Sequence, residues 1–382
     1  MIDRESAEQL IDLAGRYARD KIAPRVAAYD QEERFPRDLL AEMAELGFFG
    51  GTVPVDDGGA GLDFVTFVSF IEEISKVCHM MGCLLSMPSG LVGASISDFG
   101  TDEQKRRWLG PLAAGTMFGA AGVTEPGSGS DVAGMQTTYV RDGDEYVISG
   151  SKAWISNLDI ASFLITFATS DRSLRHKGIS AFIIPTDAVG LGLHPYEDKF
   201  GFRPICTGDV ILDDVRVGAD ALLGEEGAGF SVAMAAVERG RLGVASRSVG
   251  VAQACLDAAR SYAVDRHAFG RSIAAFQIVQ SKVTDMEVGV ATARLLVRHA
   301  AEALDRGERA RKLTSMAKMY ASDVAHRSAT DAFQIHGAYG VSPEFAIGRY
   351  LRDSKVLQIV EGSNDLHRAL IGEMSLGLRE VS

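Results

Sequence analysis

The stretch Ile359-Val360-Glu361-Gly362-Ser363-Asn364-Asp365 places one carboxylate between apolar residues and a Gly-Ser-Asn turn. It follows an amphipathic segment, so Glu361 lies where a buried helix gives way to a turn. A carboxyl group in apolar surroundings resists ionisation, and its pKa rises towards the range of a general base. Taken alone, the stretch also fits an exposed glutamate at a helix end, because most glutamates are solvated. The rest of the chain decides between the two interpretations.

The composition predicts a soluble globular protein with two or three domains. The chain has 382 residues, of which 46% are hydrophobic and 24% charged, and its net charge is −12. This charge argues against nucleic acid or an anionic membrane as the main partner. No apolar run reaches the roughly 18 residues of a membrane span, and the acidic start is unlike a targeting peptide. Four cysteines without a disulfide or metal-binding pattern favour the cytoplasm and predict no metal site.

The pattern of apolar residues divides the chain into three segments and predicts an α+β multi-domain protein. Residues 1–117 read as an all-α domain. Residues 118–230 contain short β-type runs separated by turn signals, which predict a small barrel or sandwich. Residues 231–382 carry stripes with alternating +3 and +4 spacing, such as Leu242 to Ala259 and Val279 to Leu304. These stripes predict an antiparallel four-helix bundle.

Four other stretches bring together residues that could meet a ligand. Thr124–Asp131 follows an apolar strand and could offer free N–H groups to an anion or a flat heterocycle, although a plain hairpin loop fits equally well. Trp154 could cover a ring system or lie in the core at a strand end. Arg266 could pair with a phosphate or answer a helix dipole. The Gln334–Gly340 segment could approach a ligand, and a Schellman ending at Gly337 explains it too.

Taken together, in this order and spacing, these stretches resemble the acyl-CoA dehydrogenase family over nearly the whole chain. The matching pieces are Val123-Thr124-Glu125-Pro126-Gly127-Ser128-Gly129-Ser130-Asp131, Trp154-Ile155-Ser156, Asp265-Arg266-His267-Ala268-Phe269-Gly270, Gln334-Ile335-His336-Gly337-Ala338 and Glu361-Gly362-Ser363.

The resemblance implies a homotetrameric flavoprotein with non-covalent FAD between the β-domain and the bundle. The implied FAD-binding residues are Val123, Thr124, Gly129, Ser130, Trp154, Ile155, Ser156, Arg266, Phe269, Gln277, Gln334, Ile335, His336, Gly337, Ala338, Ser363, Asn364 and Asp365. Of these, Arg266, Phe269 and Gln277 would reach FAD in a neighbouring subunit. The implied substrate contacts are Ser130, the Glu238-Arg239-Gly240-Arg241 turn and Gly362.

The resemblance also implies α,β-dehydrogenation of an acyl thioester, carried by CoA or by an acyl-carrier protein. Glu361 would take the α-proton, and the β-hydrogen would leave as hydride to flavin N5. Hydrogen bonds to the thioester carbonyl, from the Glu361 N–H and a flavin hydroxyl, would stabilise the enolate. An electron-transfer flavoprotein would accept the electrons. Some family members carry the base one bundle helix earlier, where this chain has Gly240, so Glu361 is the candidate base.

The chain departs from the family pattern at several positions. Val360 stands where tyrosine is usual and Ser363 where threonine is usual, Ala338 replaces a glycine, and Ile205-Cys206-Thr207 lacks a serine. None of these removes a reacting group, but they leave the acyl group and its carrier open. Two other functions stay open: a flavin-dependent oxidase or monooxygenase on the same fold, and a non-catalytic oligomeric scaffold.

Overall fold

The amino-terminal part of the chain is helical. The computed structural model describes residues 3–379; residues 1 and 382, where the predicted first and third domains begin and end, lie outside the described residues. Within this range, no helix combines the length and apolar character needed to cross a bilayer. The helices before the sheet are α1 (Arg4–Tyr17), α2 (Ala23–Gln31), α3 (Leu40–Glu45), α4 (Phe64–Ser75), α5 (His79–Leu85), α6 (Leu91–Phe99), α7 (Asp102–Gln104) and α8 (Gly110–Ala113).

The join between α1 and α2 is a wider, π-helical turn over Ala18–Ile22. Pro24 stands at the second position of α2. Proline has no N–H and its ring crowds the carbonyl four residues earlier, so the chain winds more loosely there. Ile22 and Val26 are nevertheless buried, so the apolar face of the helix continues through the distortion.

Eight strands in the middle of the chain form one sheet. They are β1 (Phe118–Gly122), β2 (Thr138–Asp142), β3 (Glu145–Ser156), β4 (Ala161–Thr169), β5 (Ile179–Pro185), β6 (Leu191–Pro195), β7 (Thr207–Gly218) and β8 (Leu222–Leu223). Their order is β6-β7-β3-β2-β4-β5-β8, and β1 pairs in parallel with β4. All the predicted β-type runs lie in these strands, whereas β6 and β8 were not predicted.

The two faces of β4 belong to different cores, because successive side chains of a strand point in opposite directions. Phe163, Ile165 and Phe167 join the large core that the helices share. Leu164 and Ala168 join residues of β3 and β7 in a second core that belongs to the sheet domain alone. The sheet therefore curves around its own core, as predicted for a small barrel or sandwich.

Long helices dominate the rest of the chain. They are α9 (Gly229–Asp265), α10 (Gln277–Asp305), α11 (Arg311–His336), α12 (Ala338–Val341), α13 (Ile347–Leu357) and α14 (Asn364–Ser375), with a short hairpin of β9 (His267–Ala268) and β10 (Arg271–Ser272) after α9. The predicted stripe on α9 is buried from Leu242 to Ala259. The predicted fold class, with a helical domain, a β-domain and a helical bundle in that order, is confirmed.

A buried ion pair fixes the loop that follows β1. The Nζ atom of Lys152 on β3 lies 2.8 Å from Oε1 of Glu125, and both side chains are almost completely buried. The same oxygen also accepts a hydrogen bond from the Thr137 N–H. The opposite charge of Lys152 and these hydrogen bonds outweigh burial and hold the pKa of Glu125 below its usual value. Burial lowers the pKa of Lys152 to about 8.

We expect Lys152→Met to destabilise the protein by about 3–5 kcal/mol, because it leaves a buried carboxylate without its cation. The measurement is the free energy of unfolding from a urea titration. Arg216→Met is the matched control, since Arg216 pairs with Asp142 and Glu145 in solvent and exposed pairs contribute about 0–1 kcal/mol. Equal losses in the two variants would show that the buried pair has no special weight.

Candidate active site

Glu361 lies in a tight turn between α13 and α14. Its φ is +55° and that of Gly362 is +94°. A left-handed backbone at a residue other than glycine costs on the order of 1 kcal/mol, so the surrounding contacts must hold it. The carbonyl of Glu361 accepts a hydrogen bond from His367 Nε2 at 3.2 Å. Burial lowers the pKa of His367 to about 3, so this imidazole is neutral at physiological pH.

The side chain of Glu361 points towards Gly240 on α9. A Cβ atom at position 240 would lie 2.8 Å from Cδ of Glu361 and 2.9 and 3.0 Å from its two carboxyl oxygens. The carboxyl group therefore occupies the space that any other side chain at 240 would need. Gly240 lies inside α9, and the Glu238–Arg241 segment is helix interior. The prediction of a turn there was wrong, because the single glycine of this segment serves close packing and does not break the helix.

Three cations act on the carboxyl group of Glu361. Burial raises the pKa of Glu361, and the charges of Arg241, Arg247 and Lys318 oppose this shift. Arg241 and Arg247 are buried, and Lys318 has no exposed surface. Burial lowers the pKa of Lys318 to about 7. The carboxyl group thus combines poor solvation with a positive potential that keeps part of it ionised.

Lys318 holds the turn that contains Glu361 in place through hydrogen bonds. Its Nζ donates to the carbonyl of Gly362 at 2.7 Å and to Oδ1 of Asn364 at 2.9 Å. Asn364 in turn donates to Asp323 and to Ser322. Asn364 is buried, so its side chain is committed to this network, and its N–H donates to the carbonyl of Gln358 at 2.9 Å.

The other predicted residues of this turn have separate tasks. The Ser363 hydroxyl caps α14 by accepting from the Leu366 N–H. Asp365 is exposed and pairs with Arg368. Among residues 3–379, the N–H of Glu361 has no hydrogen-bond acceptor. It is a free donor beside the carboxyl group.

Two residues of the predicted substrate set have local partners. Glu238 accepts a hydrogen bond from the Ala310 N–H at 2.9 Å, at the start of α11. Burial raises the pKa of Glu238. Arg239 pairs with Asp98 of α6 at 3.0 Å. Neither side chain lies against Glu361 as Gly240 does.

The loop after β1 is compact but leaves open space. Glu125 and Ser128 exchange two backbone hydrogen bonds across it, and the carbonyl of Thr124, after Val123, accepts from the Ala153 N–H. No atom lies within 4 Å of a Cβ placed at Gly129, and Ser130 is exposed. The segment is a hairpin-like loop whose outer face is accessible to a ligand.

Trp154 is the most unusual side chain of the sheet domain. It is 65% exposed, its φ is +60°, and its ring meets Tyr196 edge-on at 4.8 Å. The pairing of β3 with β7 shifts register between Lys152 and Ile155, and this bulge turns Trp154 outward. Ile155 is buried in the sheet core and can offer a ligand only its backbone. Ser156 faces Thr207 across the sheet.

The remaining predicted residues lie at the far ends of the bundle helices. Arg266, Gln277 and Phe269 are exposed, Phe269 with 95% of its surface. Gln334 and Ala338 are exposed, whereas Ile335 and His336 are buried. Gly337 has φ +58° and ψ −131°, which is not the αL geometry of a Schellman ending.

Sequence reasoning missed the buried cations. Lys318 follows Thr314 by four residues and precedes Ala321 by three, and all three are fully buried. This spacing places the lysine on the apolar face of α11, a signal that was available. Arg247 carries a weaker signal, since it interrupts a run of small and apolar residues on α9.

Family models, sequence relatives and solved structures all identify the same protein family. Family models of the acyl-CoA dehydrogenase N-terminal, middle and C-terminal domains match residues 4–116, 120–215 and 227–376. The chain is 40% identical to the mitochondrial short-chain specific acyl-CoA dehydrogenase of Bos taurus, over 96% of this chain and 89% of that protein.

Two solved structures are similar over almost their full length. Butyryl-CoA dehydrogenase from Megasphaera elsdenii superposes with a TM-score of 0.94 at 35% identity, over 99% of this chain and 100% of that one. A chain from the structure of the electron transferring flavoprotein of Acidaminococcus fermentans gives a TM-score of 0.95 at 39% identity, over 98% and 99% of the two chains.

We expect Gly240→Ala to fold normally and to lose roughly 10²-fold in the rate of flavin reduction by an acyl-CoA, because a small displacement of a reacting group has an effect of this size. The new methyl group needs the space of the Glu361 carboxyl group, which can swing away at little cost to stability. Stopped-flow reduction and urea unfolding measure the two effects. Gly372→Ala is the control, since a Cβ there meets no atom within 4 Å. A fully active Gly240→Ala protein would contradict the importance of this contact.

Proposed function

The chain belongs to the acyl-CoA dehydrogenase family, and on that premise we propose that Glu361 is the base of an FAD-dependent α,β-dehydrogenation of an acyl thioester. The family is one of oxidoreductases that act on CH–CH bonds. The observation that carries the proposal is the position of the Glu361 carboxyl group, which is partly buried, faces a glycine on α9 and has a raised pKa. A base in this setting can take a weakly acidic proton near neutral pH.

We propose that the acyl thioester binds beside this base. Gly240 has no side chain, so the carboxyl group is reached across bare helix backbone. The free N–H of Glu361 can donate to the thioester carbonyl and stabilise the enolate as the α-proton leaves. One residue would then supply both the base and a hydrogen bond to the developing oxyanion.

The exposed groups around Trp154 fit a flavin. An outward-facing indole, the Ser156 hydroxyl and the open backbone near Thr124 and Gly129 provide an aromatic wall and hydrogen-bonding groups for a flat heterocycle. When bound there, FAD supplies the acceptor for the hydride from the β-carbon. Ser130 would lie at the substrate side of the same loop.

The exposed hairpin after α9 fits the cofactor of a second copy. Phe269 and Arg266 lie on a turn where the phenyl ring meets Phe276 edge-on at 6.1 Å and is otherwise exposed. An arginine and an aromatic ring on one projecting turn can contact a phosphate and a purine. We therefore infer a homotetramer in which this turn, with Gln277 and the Gln334–Ala338 segment, serves the neighbour's FAD.

We propose a CoA or acyl-carrier-protein thioester as substrate, an electron-transfer flavoprotein as acceptor and the cytoplasm as location. The family membership and the relatives' names support acyl-CoA and a flavoprotein acceptor. The four cysteines, which form no disulfide, suit a reducing compartment.

The rate at which air reoxidises the reduced flavin distinguishes an oxidase or monooxygenase from a dehydrogenase. Anaerobic reduction of the flavin by an acyl-CoA, followed by admission of air, gives slow reoxidation for a dehydrogenase and fast reoxidation for an oxidase or monooxygenase. A purified protein that is colourless and takes up no FAD would support the scaffold alternative.

We expect Glu361→Gln to keep FAD and the fold but to lose at least about 10³-fold in flavin reduction, because the amide cannot accept the α-proton. Anaerobic stopped-flow absorbance with acyl-CoA measures it. Glu344→Gln, at an exposed position, should reduce at the native rate. Near-native reduction of Glu361→Gln would remove Glu361 from this role.

We expect Arg266→Ala to weaken FAD retention about tenfold, because a charge-assisted hydrogen bond to phosphate is lost. FAD release during dilution, followed by flavin fluorescence, measures it. Arg298→Ala is the control, since Arg298 pairs only with Glu302 in solvent. Unchanged FAD affinity in the Arg266 variant would contradict the placement of the hairpin at a cofactor.

A further inference from the structure

Arg247 is a buried cation two helical turns from the position that faces the base. It lies seven residues after Gly240 on α9, so both project from nearly the same face, about 10 Å apart along the axis. The side chain folds back towards the base, because its Nε lies 3.4 Å from the carbonyl of Gly243. Its charge is close enough to act on the Glu361 carboxyl group.

The guanidinium of Arg247 lacks partners. The long contact to Gly243 is its single hydrogen bond among residues 3–379, and Nη1 is buried without any acceptor. No carboxylate of the described residues lies within 4 Å of it, although only 4% of Arg247 is exposed. A buried cation without hydrogen bonds or a counter-ion is costly, so its surroundings point to a missing anion.

Arg241 donates to Ser315 Oγ at 3.3 Å, although its Nε, like Nη1 of Arg247, is buried without an acceptor, and two other buried cations are fully partnered. Lys318 donates to two oxygens, and Lys152 pairs with Glu125. The buried carboxylate of Asp353 accepts from the Phe202 N–H through Oδ1, its Oδ2 lies 2.9 Å from His79 Nε2 without a hydrogen bond, and neither oxygen lies within 4 Å of the Arg247 guanidinium. The missing anion is therefore not supplied by Asp353.

The groups packed around Arg247 are mostly apolar, and its guanidinium is the charge at one end of the candidate site. Gly82 lies flat on its stem, since a Cβ there would come within 3.3 Å of Cγ. The ring of Phe202 faces the guanidinium, with the Cζ atom 5.8 Å from the ring centroid. Gly243 and Gly240 lead along α9 towards Glu361. Gly243 packs against Ser86 and Gly240 against the Glu361 carboxyl group, so a cation and a base lie along the same side of α9.

We propose that this site accepts an acyl group whose far end carries a carboxylate, with Arg247 as the residue that binds it. This rests on the proposed function, because the thioester end must lie at Glu361. The guanidinium folds back to within about one to two helical turns of the base, so the acyl chain between the two carbonyl carbons is short. Arg247 would determine specificity and would take no part in the proton transfer.

Charge pairing in a dry site gives this selectivity its strength. A terminal carboxylate would offer two oxygens to the planar guanidinium. A neutral acyl chain of the same length would leave the cation unpaired and would gain only the contact of its methyl group. A site with a built-in polar partner rejects the analogue that lacks the matching group far more strongly than a purely apolar pocket does.

The test compares matched CoA esters in the FAD-loaded enzyme. The pairs are succinyl and butyryl, glutaryl and valeryl, and adipyl and hexanoyl. We expect the dicarboxylic ester to have a kcat/KM roughly 10-fold or more above its neutral partner in at least one pair. Arg247→Met should reverse that preference, and Arg247→Lys, which keeps the charge, should preserve part of it. Arg260→Met, an exposed arginine on the same helix, should leave the ratio unchanged. A native enzyme that prefers the neutral ester in every pair would overturn the proposal, as would an Arg247→Met protein that loses activity equally on both.

Binding separates this proposal from the proposed function. Calorimetry on the Glu361→Gln protein, which is expected not to turn over, should show tighter binding of the favoured dicarboxylic ester by roughly 10-fold. Adding Arg247→Met should abolish the difference. If no ester reduces the native flavin but this preference is present, the dehydrogenase proposal fails and the carboxylate site stands. Equal binding of the two esters, with or without turnover, overturns the carboxylate site.

Discussion

The contact between the Glu361 carboxyl group and the bare backbone at Gly240 is the constraint on which the site depends. One carboxyl group fills the space that a side chain at 240 would take, so the two positions cannot both be occupied. The contact requires α9 to continue as a helix past Gly240. It requires α13 to end where Glu361 comes level with Gly240. It also requires a left-handed residue at 361, whose cost is borne by Lys318, His367 and the cap of α14. Helix packing and helix capping therefore determine the position of the Glu361 carboxyl group.

The electrostatics of the base follow from the same packing. Burial alone would make the carboxyl group of Glu361 neutral and useless as a base at physiological pH. Arg241, Arg247 and Lys318 counter this without touching it, since no cation in residues 3–379 lies within 4 Å of Glu361. A direct ion pair would depress the pKa too far and would hold the carboxylate away from a substrate. The observed arrangement lies between these extremes.

Most of the fold could be predicted from the sequence because the apolar residues of its helices and strands recur with regular spacing. The +3/+4 spacing of apolar residues on α9 and the alternation in β4 can be recognised without knowing the tertiary contacts. Short edge strands such as β6 carry no strong alternation, and the π-turn before Pro24 needs the carbonyl geometry that only a structure shows. In the site, the local stretch around Glu361 fits an exposed glutamate as well, and Glu361 was predicted as the base because the other motifs of the chain, in order and spacing, resemble the acyl-CoA dehydrogenase family. Lys318 and Arg247 were missed because lysine and arginine are almost always solvated, and their burial depends on contacts between distant helices. Asn364 and Ile155 were predicted from the motifs to contact FAD, and both side chains are buried within the chain.

Stability does not explain Arg247. A methionine or leucine would fill the space between Gly82 and Phe202 without any cost of desolvation, and replacing buried charges by apolar residues is often neutral or stabilising. The arginine also gains little from its own chain, because a 3.4 Å contact to one carbonyl is near the limit of a hydrogen bond. Its positive potential helps keep Glu361 ionised, but Arg241 and Lys318 contribute the same effect, and Lys318 also holds the turn through two hydrogen bonds. What remains for Arg247 is a group that arrives from outside the chain, and the short path along α9 to the base limits that group to the far end of the acyl chain on which Glu361 acts.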